Sequence, residues 1–152
     1  MDLGIFFDGL CEPINPGGTA CYGYAIYGIG PVGKAVPGCG VFKAGAGMTN
    51  NVAEWIALGK ALALVRAEKL RPDTVTIYGD SQLVINQLIG DFECNNERLR
   101  EYRDRCLEHL TELACVWKAH WIPREQNVEA DHLARAAYVG RIGRLLPERV
   151  KA

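Results

Sequence analysis

At 152 residues the chain has the length of one domain, enough to bury a proper hydrophobic core. With 49% hydrophobic and 23% charged residues it is not a disordered chain, and it has no apolar run long enough to span a membrane. The net charge of −1 does not advertise a nucleic-acid binder. It does not exclude one either, because divalent cations held by a carboxylate cluster would reverse the local sign.

No basic segment followed by a cleavable apolar stretch opens the chain, so a cytoplasmic protein is expected, with no membrane attachment. The six cysteines, at 11, 21, 39, 94, 106 and 115, form no C-x-x-C pair, which argues against a zinc site. They would be thiols in a reducing cytosol, whereas in a hyperthermophile a disulfide is open to them.

The chain begins with an apolar strand, Ile5 to Asp8, that delivers a carboxylate to the Gly9 turn. A loop punctuated by Pro and Gly covers 11–19, and the aromatic stretch 20–28 reads as a second strand. Residues 29–40 contain a turn and the start of a third strand that ends near Phe42; 43–50 is a loop. From Asn51 to about Leu70 the apolar spacing becomes helical, and Arg71-Pro72-Asp73 stops the helix. Thr74 to Tyr78 is a β-branched fourth strand. Asp80-Ser81 caps a short helix over 82–89, which Gly90 ends. A charged helix runs from about Asn96 to Leu113, a fifth strand from Cys115 to Ile122 and a last helix over about 128–138. Three meander strands followed by alternating strands and helices give an α/β fold, a five-stranded mixed sheet with helices on both faces. The domain is expected over 1–139, with a basic tail over 140–152 that carries Arg141, Arg144, Arg149 and Lys151.

Four carboxylates stand at element boundaries: Asp8, Glu54, Asp80 and Asp131. Each has an ordinary explanation. Asp8-Gly9 fits a turn, Asn51-x-x-Glu54 a capping box, Asp80 a helix cap, and Asp131 an exposed i,i+4 partner of Arg135. Together they point elsewhere. Asp8 and Asp80 follow strands that become neighbours if the first and fourth pair in parallel, and ligand sites of open α/β sheets form outside such ends. Several carboxylates with no Cys or His among them suit hard divalent cations. Two such ions about 3.5–4 Å apart can promote hydrolysis of a phosphodiester.

Five short motifs in this order resemble the type-I ribonucleases H. They are Asp8-Gly9; Asn15-Pro16-Gly17-Gly18 with Tyr22-Gly23-Tyr24; Thr49-Asn50-Asn51-x-x-Glu54; Gly79-Asp80-Ser81-Gln82; and Asn127-x-x-x-Asp131-x-Leu133-Ala134. The resemblance covers most of residues 4–136. It implies a ribonuclease H-like fold and a metal-dependent endonuclease that cuts the RNA strand of RNA–DNA hybrids, leaving 5′-phosphate and 3′-hydroxyl ends. It also implies that Asp8, Glu54, Asp80 and Asp131 hold two Mg²⁺ or Mn²⁺ ions. Gly9, Asn15, Asn50, Asn51, Gln82 and Asn127 would then contact the hybrid, where the 2′-hydroxyl distinguishes RNA from DNA. Thr49 and Asn96 match the family's pocket for a DNA-strand phosphate. Double-stranded RNA is a second candidate substrate, and a monomer is expected.

Two departures from the family pattern stand out. The loop before Asp131, Pro123-Arg124-Glu125-Gln126-Asn127, lacks the usual His and resembles an archaeal-type subgroup in which an Arg takes its place. Arg124 is the catalytic candidate there; permanently charged, it suits orienting water or phosphate rather than moving a proton. The basic protrusion of some members is replaced by the short acidic segment 90–95, so the grip on substrate must come from elsewhere. The Arg residues of 97–105 and the basic tail are the candidates, but those Arg residues are interleaved with Glu97, Glu101 and Asp104, the pattern of a solvated, salt-bridged face. Another nuclease on the same fold and a catalytically silent hybrid-binding module are the alternative readings. The amide-rich motifs argue against the first and the full carboxylate set against the second.

Overall fold

The computed structural model describes residues 1–145. Five strands, β1 (Asp2–Glu12), β2 (Thr19–Tyr27), β3 (Ala35–Ala44), β4 (Thr74–Gly79) and β5 (Val116–Trp121), form one sheet in the order β3-β2-β1-β4-β5. The meander β1-β2-β3 is antiparallel, while β4 pairs in parallel with both β1 and β5. The helices are α1 (Asn50–Ala67), α2 (Gln82–Ile89), α3 (Glu97–Leu113) and α4 (Val128–Leu145). α1 packs on one face of the sheet, with α3 against it, and α4 covers β1 to β3 on the other. No helix among the described residues is long and apolar enough to cross a membrane.

Strand alternation fixes which side chains go where. Leu3, Ile5 and Phe7 are buried in the main core with Trp55, Leu58, Leu62, Val75 and Ile77. On the opposite face, Leu10 and Cys21 form a smaller cluster with Ala134 of α4. The Gly-rich third strand lies at the sheet edge, where Pro37 is tolerated. Gly38 and Gly40 of β3 stand opposite Tyr24 and Tyr22, and a Cβ at either would collide with the opposite ring. All six cysteines are free.

Three boundaries differ from the sequence reading. β1 continues through Asp8 and Gly9 to Glu12, because β2 supplies an antiparallel partner as far as Glu12↔Thr19. α1 begins at Asn50 with Thr49 as its cap; the Thr49 Oγ1 accepts from the Val52 N–H at 3.1 Å. That displaces the expected capping box and releases Glu54 from the helix start. α4 runs through Gly140 and Gly143 to Leu145, so Arg141 belongs to a helix rather than to a tail. Arg149 and Lys151 lie outside the described residues.

Candidate active site

Pairing of β1 with β4 stops at Phe7↔Gly79, while pairing with β2 continues. Asp8 is therefore the first β1 residue without a β4 partner, and Asp80 the first residue beyond β4. The two carboxylates emerge side by side where the parallel pair opens.

Two glycines bring helices onto this point. A Cβ on Gly9 would lie 2.3 Å from the Ala53 carbonyl carbon and 2.4 Å from the Glu54 nitrogen, so only Gly lets the first turns of α1 rest directly on β1. Gly23, the antiparallel partner of Asp8, does the same for α4; a Cβ there would sit 2.4 Å from the Ala130 carbonyl oxygen. Glu54 and Asp131 approach Asp8 through these two contacts.

Asp8, Glu54 and Asp80 each offer a carboxylate oxygen within 4.8 Å of the others. Asp8 is 4% exposed and Glu54 6%. Burial, and then the neighbouring Asp80, push the Asp8 carboxyl up to about 7, partly opposed by a hydrogen bond with Glu54. Glu54 is raised well above the ordinary carboxylate range, first by burial and then by Asp8. Glu54 Oε2 is buried without a hydrogen-bond partner, and none of the three makes an ion pair among the described residues. Such buried like charges are costly unless neutralised. A set of hard oxygen donors with unfilled lone pairs fits a divalent cation.

Asp131 stands at the edge of this group. It is close enough to Asp8 to raise its proton affinity, and it also keeps its ordinary helical partner, with Arg135 Nε at 3.4 Å.

Asn127 departs from its expected place among the substrate contacts. It is 1% exposed, and its Nδ2 donates to the Phe7 carbonyl at 2.9 Å and to Asp80 Oδ2 at 3.1 Å. Its surroundings are β1 and the Asp80 carboxylate. The neighbouring Trp121 holds the same residue from behind, its indole N–H donating to the Asp80 carbonyl at 3.1 Å. Arg124 is exposed at the start of the 3₁₀ turn Arg124–Gln126, and its carbonyl accepts from the Asn127 N–H at 2.9 Å.

The amide residues form a relay around the start of α1. Asn15 Oδ1 accepts from the Asn50 N–H, and Asn50 Oδ1 from the Cys11 N–H at 2.8 Å. Both Nδ2 groups are without a partner among the described residues. Gln82 is exposed on the first turn of α2. Thr49, Asn51 and Asn96 line one pocket of about 430 Å³ together with Arg98. Asn96 also caps α3, its Oδ1 accepting from the Leu99 N–H at 3.0 Å. The sequence reading counts Arg98 among the Arg residues of 97–105 but does not place it in this pocket. The signal was there, since it follows the Asn96 cap at a position that turns toward α1.

A family model described as reverse transcriptase-like matches residues 32–137. The solved structure of ribonuclease H1 from Halobacterium salinarum superposes with a TM-score of 0.78 at 32% identity, over 92% of this chain and 99% of that one. The chain belongs to the type-1 ribonuclease H family. A second family structure, LC11-RNase H1 in complex with an RNA/DNA hybrid, gives a TM-score of 0.81 at 26% identity, covering 92% of this chain and 99% of that one. Among curated proteins, ribonuclease HI of Halobacterium salinarum is 37% identical over 132 residues, 87% of this chain and 62% of that protein. The chain spans 38% and 62% of the length of two curated relatives it matches. Its ribonuclease H-like sheet and helices agree with the fold expected from its motifs.

Proposed function

We propose that this chain hydrolyses the RNA strand of RNA–DNA hybrids as a divalent-metal-dependent endonuclease, leaving 5′-phosphate and 3′-hydroxyl ends. The observation that carries the reading is the trio Asp8, Glu54 and Asp80 at the open end of the β1–β4 pair, the first two buried and the third half-buried, with no cation paired to any of them among the described residues. These three would hold the cations, with Asp131 completing the set at its exposed edge. Mg²⁺ or Mn²⁺, two ions with substrate present, would supply Lewis acidity for attack by water and for departure of the ribose 3′-oxygen.

The remaining side chains bind and orient. Asn127 fixes one oxygen of Asp80, so the other faces the trio in one rotamer. The free amide groups of Asn15 and Asn50, with Asn51 and Gln82, suit the minor groove of a hybrid, since an amide both donates to and accepts from a 2′-hydroxyl. Gly9 serves by bringing α1, and with it these amides, onto β1. The pocket of Thr49, Asn96 and Arg98 has the donors and the charge for a phosphate of the DNA strand. Arg124, exposed and constantly charged, would contact the scissile phosphate or its water.

The test is cleavage of an end-labelled hybrid beside RNA–RNA, DNA–DNA and single-stranded RNA, each with Mg²⁺, Mn²⁺ or EDTA. Metal-dependent cutting of the hybrid's RNA strand is expected. Failure to cut the hybrid with either metal would overturn the proposal. The RNA–RNA arm decides whether double-stranded RNA is also a substrate, and the two metal arms decide the preference. A cytoplasmic monomer is part of the same reading; sizing of the purified chain tests the monomer.

A further inference from the structure

The segment 90–95 carries no basic protrusion, and the sequence offers the Arg residues of 97–105 for the grip only against the reading of a self-paired, solvated face. The charges of α3 supply an answer once they are placed on a helix. Arg98, Tyr102, Arg105 and His109 recur at i, i+4, i+7 and i+11 and share one stripe. Glu97, Glu101, Asp104, Glu108 and Glu112 share the adjacent stripe. Charges that alternate along the sequence are therefore sorted in space. The one ion pair along α3 is Arg103 with Asp104, and Arg98 and Arg105 make none among the described residues.

The cationic stripe faces α1. At one end of the α1–α3 seam, Arg98 lines the pocket of about 430 Å³ with Thr49 and Asn96. Further along, Arg105 and His109 line a second pocket of about 190 Å³ with Lys60 of α1 and the aromatic rings of Phe42, Trp55 and Tyr102. No carboxylate lines either pocket. The indole N–H of buried Trp55 has no partner among the described residues. Beyond it, Arg66 donates to Nδ1 of His109 at 2.9 Å, extending the line of cations. Arg98 and Arg105 are seven residues apart, about 10 Å along the helix axis. That is the rise of roughly three nucleotides of one strand.

We infer that the α1–α3 seam is a nucleic-acid track that continues from the Thr49–Asn96–Arg98 pocket, with Lys60 and Arg105 binding backbone phosphates of the strand leaving it. This rests on the hybrid-cleavage reading above. The occupant is a polyanion because the two pockets are lined by cations and no carboxylate, and Lys60, Arg98 and Arg105 make no ion pair among the described residues. It is the backbone rather than the bases because exposed, flexible Lys and Arg side chains give charge without base-edge geometry.

The experiment is fluorescence-anisotropy binding of a hybrid of about 20 base pairs in EDTA, across a salt series. Lys60→Gln/Arg105→Gln should bind about ten-fold more weakly, with a salt slope shallower by roughly 2. Lys60→Arg/Arg105→Lys should restore both affinity and slope. Arg103→Ala, on the same helix but paired with Asp104, should change neither. Wild-type affinity and slope in the Gln pair would overturn the track while leaving the cleavage reading intact. Failure of the wild-type chain to bind hybrid even at low salt would overturn both. Should the Gln pair melt early, the single Gln variants decide, each expected to show about half the slope change.

Discussion

At the open end of β1 and β4, three carboxylates gather with no cation among them; along the α1–α3 seam, cations gather with no carboxylate in the lining. Asp8 and Glu54 are buried, so desolvation and then weakly screened mutual repulsion raise their proton affinity. The basic seam includes exposed Lys60, Arg98 and Arg105, where water and salt screen the same kind of repulsion almost for free. Unpaired charge in a dry place destabilises the fold and demands a specific ligand. Unpaired charge in a wet place costs little and favours a polyanion of any sequence. The proposed hybrid cleavage would need both: a rigid centre for chemistry and a forgiving surface for the strand that is not cut.

The sharpest break of this contrast is Asp8→Asn. Removing one buried charge should abolish hybrid cleavage, by about 10³-fold or more, and at the same time raise the melting temperature of the metal-free protein. Activity and stability measured on one preparation decide it. A variant that keeps cleaving would remove Asp8 from the chemistry, and one that melts earlier would show that the carboxylates are not in conflict.

The pH dependence of stability sharpens the same point. Asp8 and Glu54 have folded-state proton affinities above the unfolded carboxylate value, so the folded chain binds more protons than the unfolded one. Stability in EDTA should therefore fall as pH rises from about 4 through about 7, the window between the unfolded carboxylate value and Asp8. Mg²⁺ or Mn²⁺ should offset that fall, most strongly at the upper end, because cation binding requires the deprotonated pair. Calorimetric scans across pH with and without metal test this. A metal-free melting temperature that rises with pH over this window would contradict it.

How far this was legible in the sequence follows from the range of the forces involved. The caps at Thr49, Ser81 and Asn96 are local hydrogen bonds, and they stand where the residue types put them or within two positions. Asp8 seemed to end its strand because the following Gly looked like a turn. The antiparallel partner that carries β1 to Glu12 comes from residues 19–27, which no local window sees. The true role of Gly9 is the close approach of α1, a tertiary fact. Asn127 is expected among the amides that contact the hybrid, and its burial arises only when the 3₁₀ turn brings it against β1. The α3 charges were legible in principle, since a helical projection separates them. Read as a string they alternate, and alternation resembles self-pairing. Gly140 and Gly143 made the last helix look short, but α4 passes through both.

Asn127→Ala should have an intermediate effect. It leaves the Phe7 carbonyl and Asp80 Oδ2 without the donor they share, at a cost of about 1–3 kcal/mol in stability. It should lower kcat by about 10-fold or more with KM little changed, because the residue orients a carboxylate and is too buried to touch substrate. Weaker Mn²⁺ binding by calorimetry should accompany the loss. An increase in KM alone would return Asn127 to the substrate contacts.

The smallest effect belongs to the wet side. Arg98 is exposed and already spends one hydrogen bond on the Gly47 carbonyl, at 2.9 Å. Arg98→Ala should therefore weaken hybrid binding only about five-fold and make the salt slope shallower by about 1, uniformly across hybrid sequences. Cleavage at saturating hybrid should stay near the wild-type rate if, as proposed, the pocket holds the uncut strand away from the carboxylates. A fall in kcat as large as that of Asn127→Ala would mean that strand placement at Arg98 sets the geometry at Asp8 as well. The division between a rigid centre and a forgiving surface would then fail, and α1, which runs from the phosphate pocket to Glu54 within its first turns, would be the rigid connection between them.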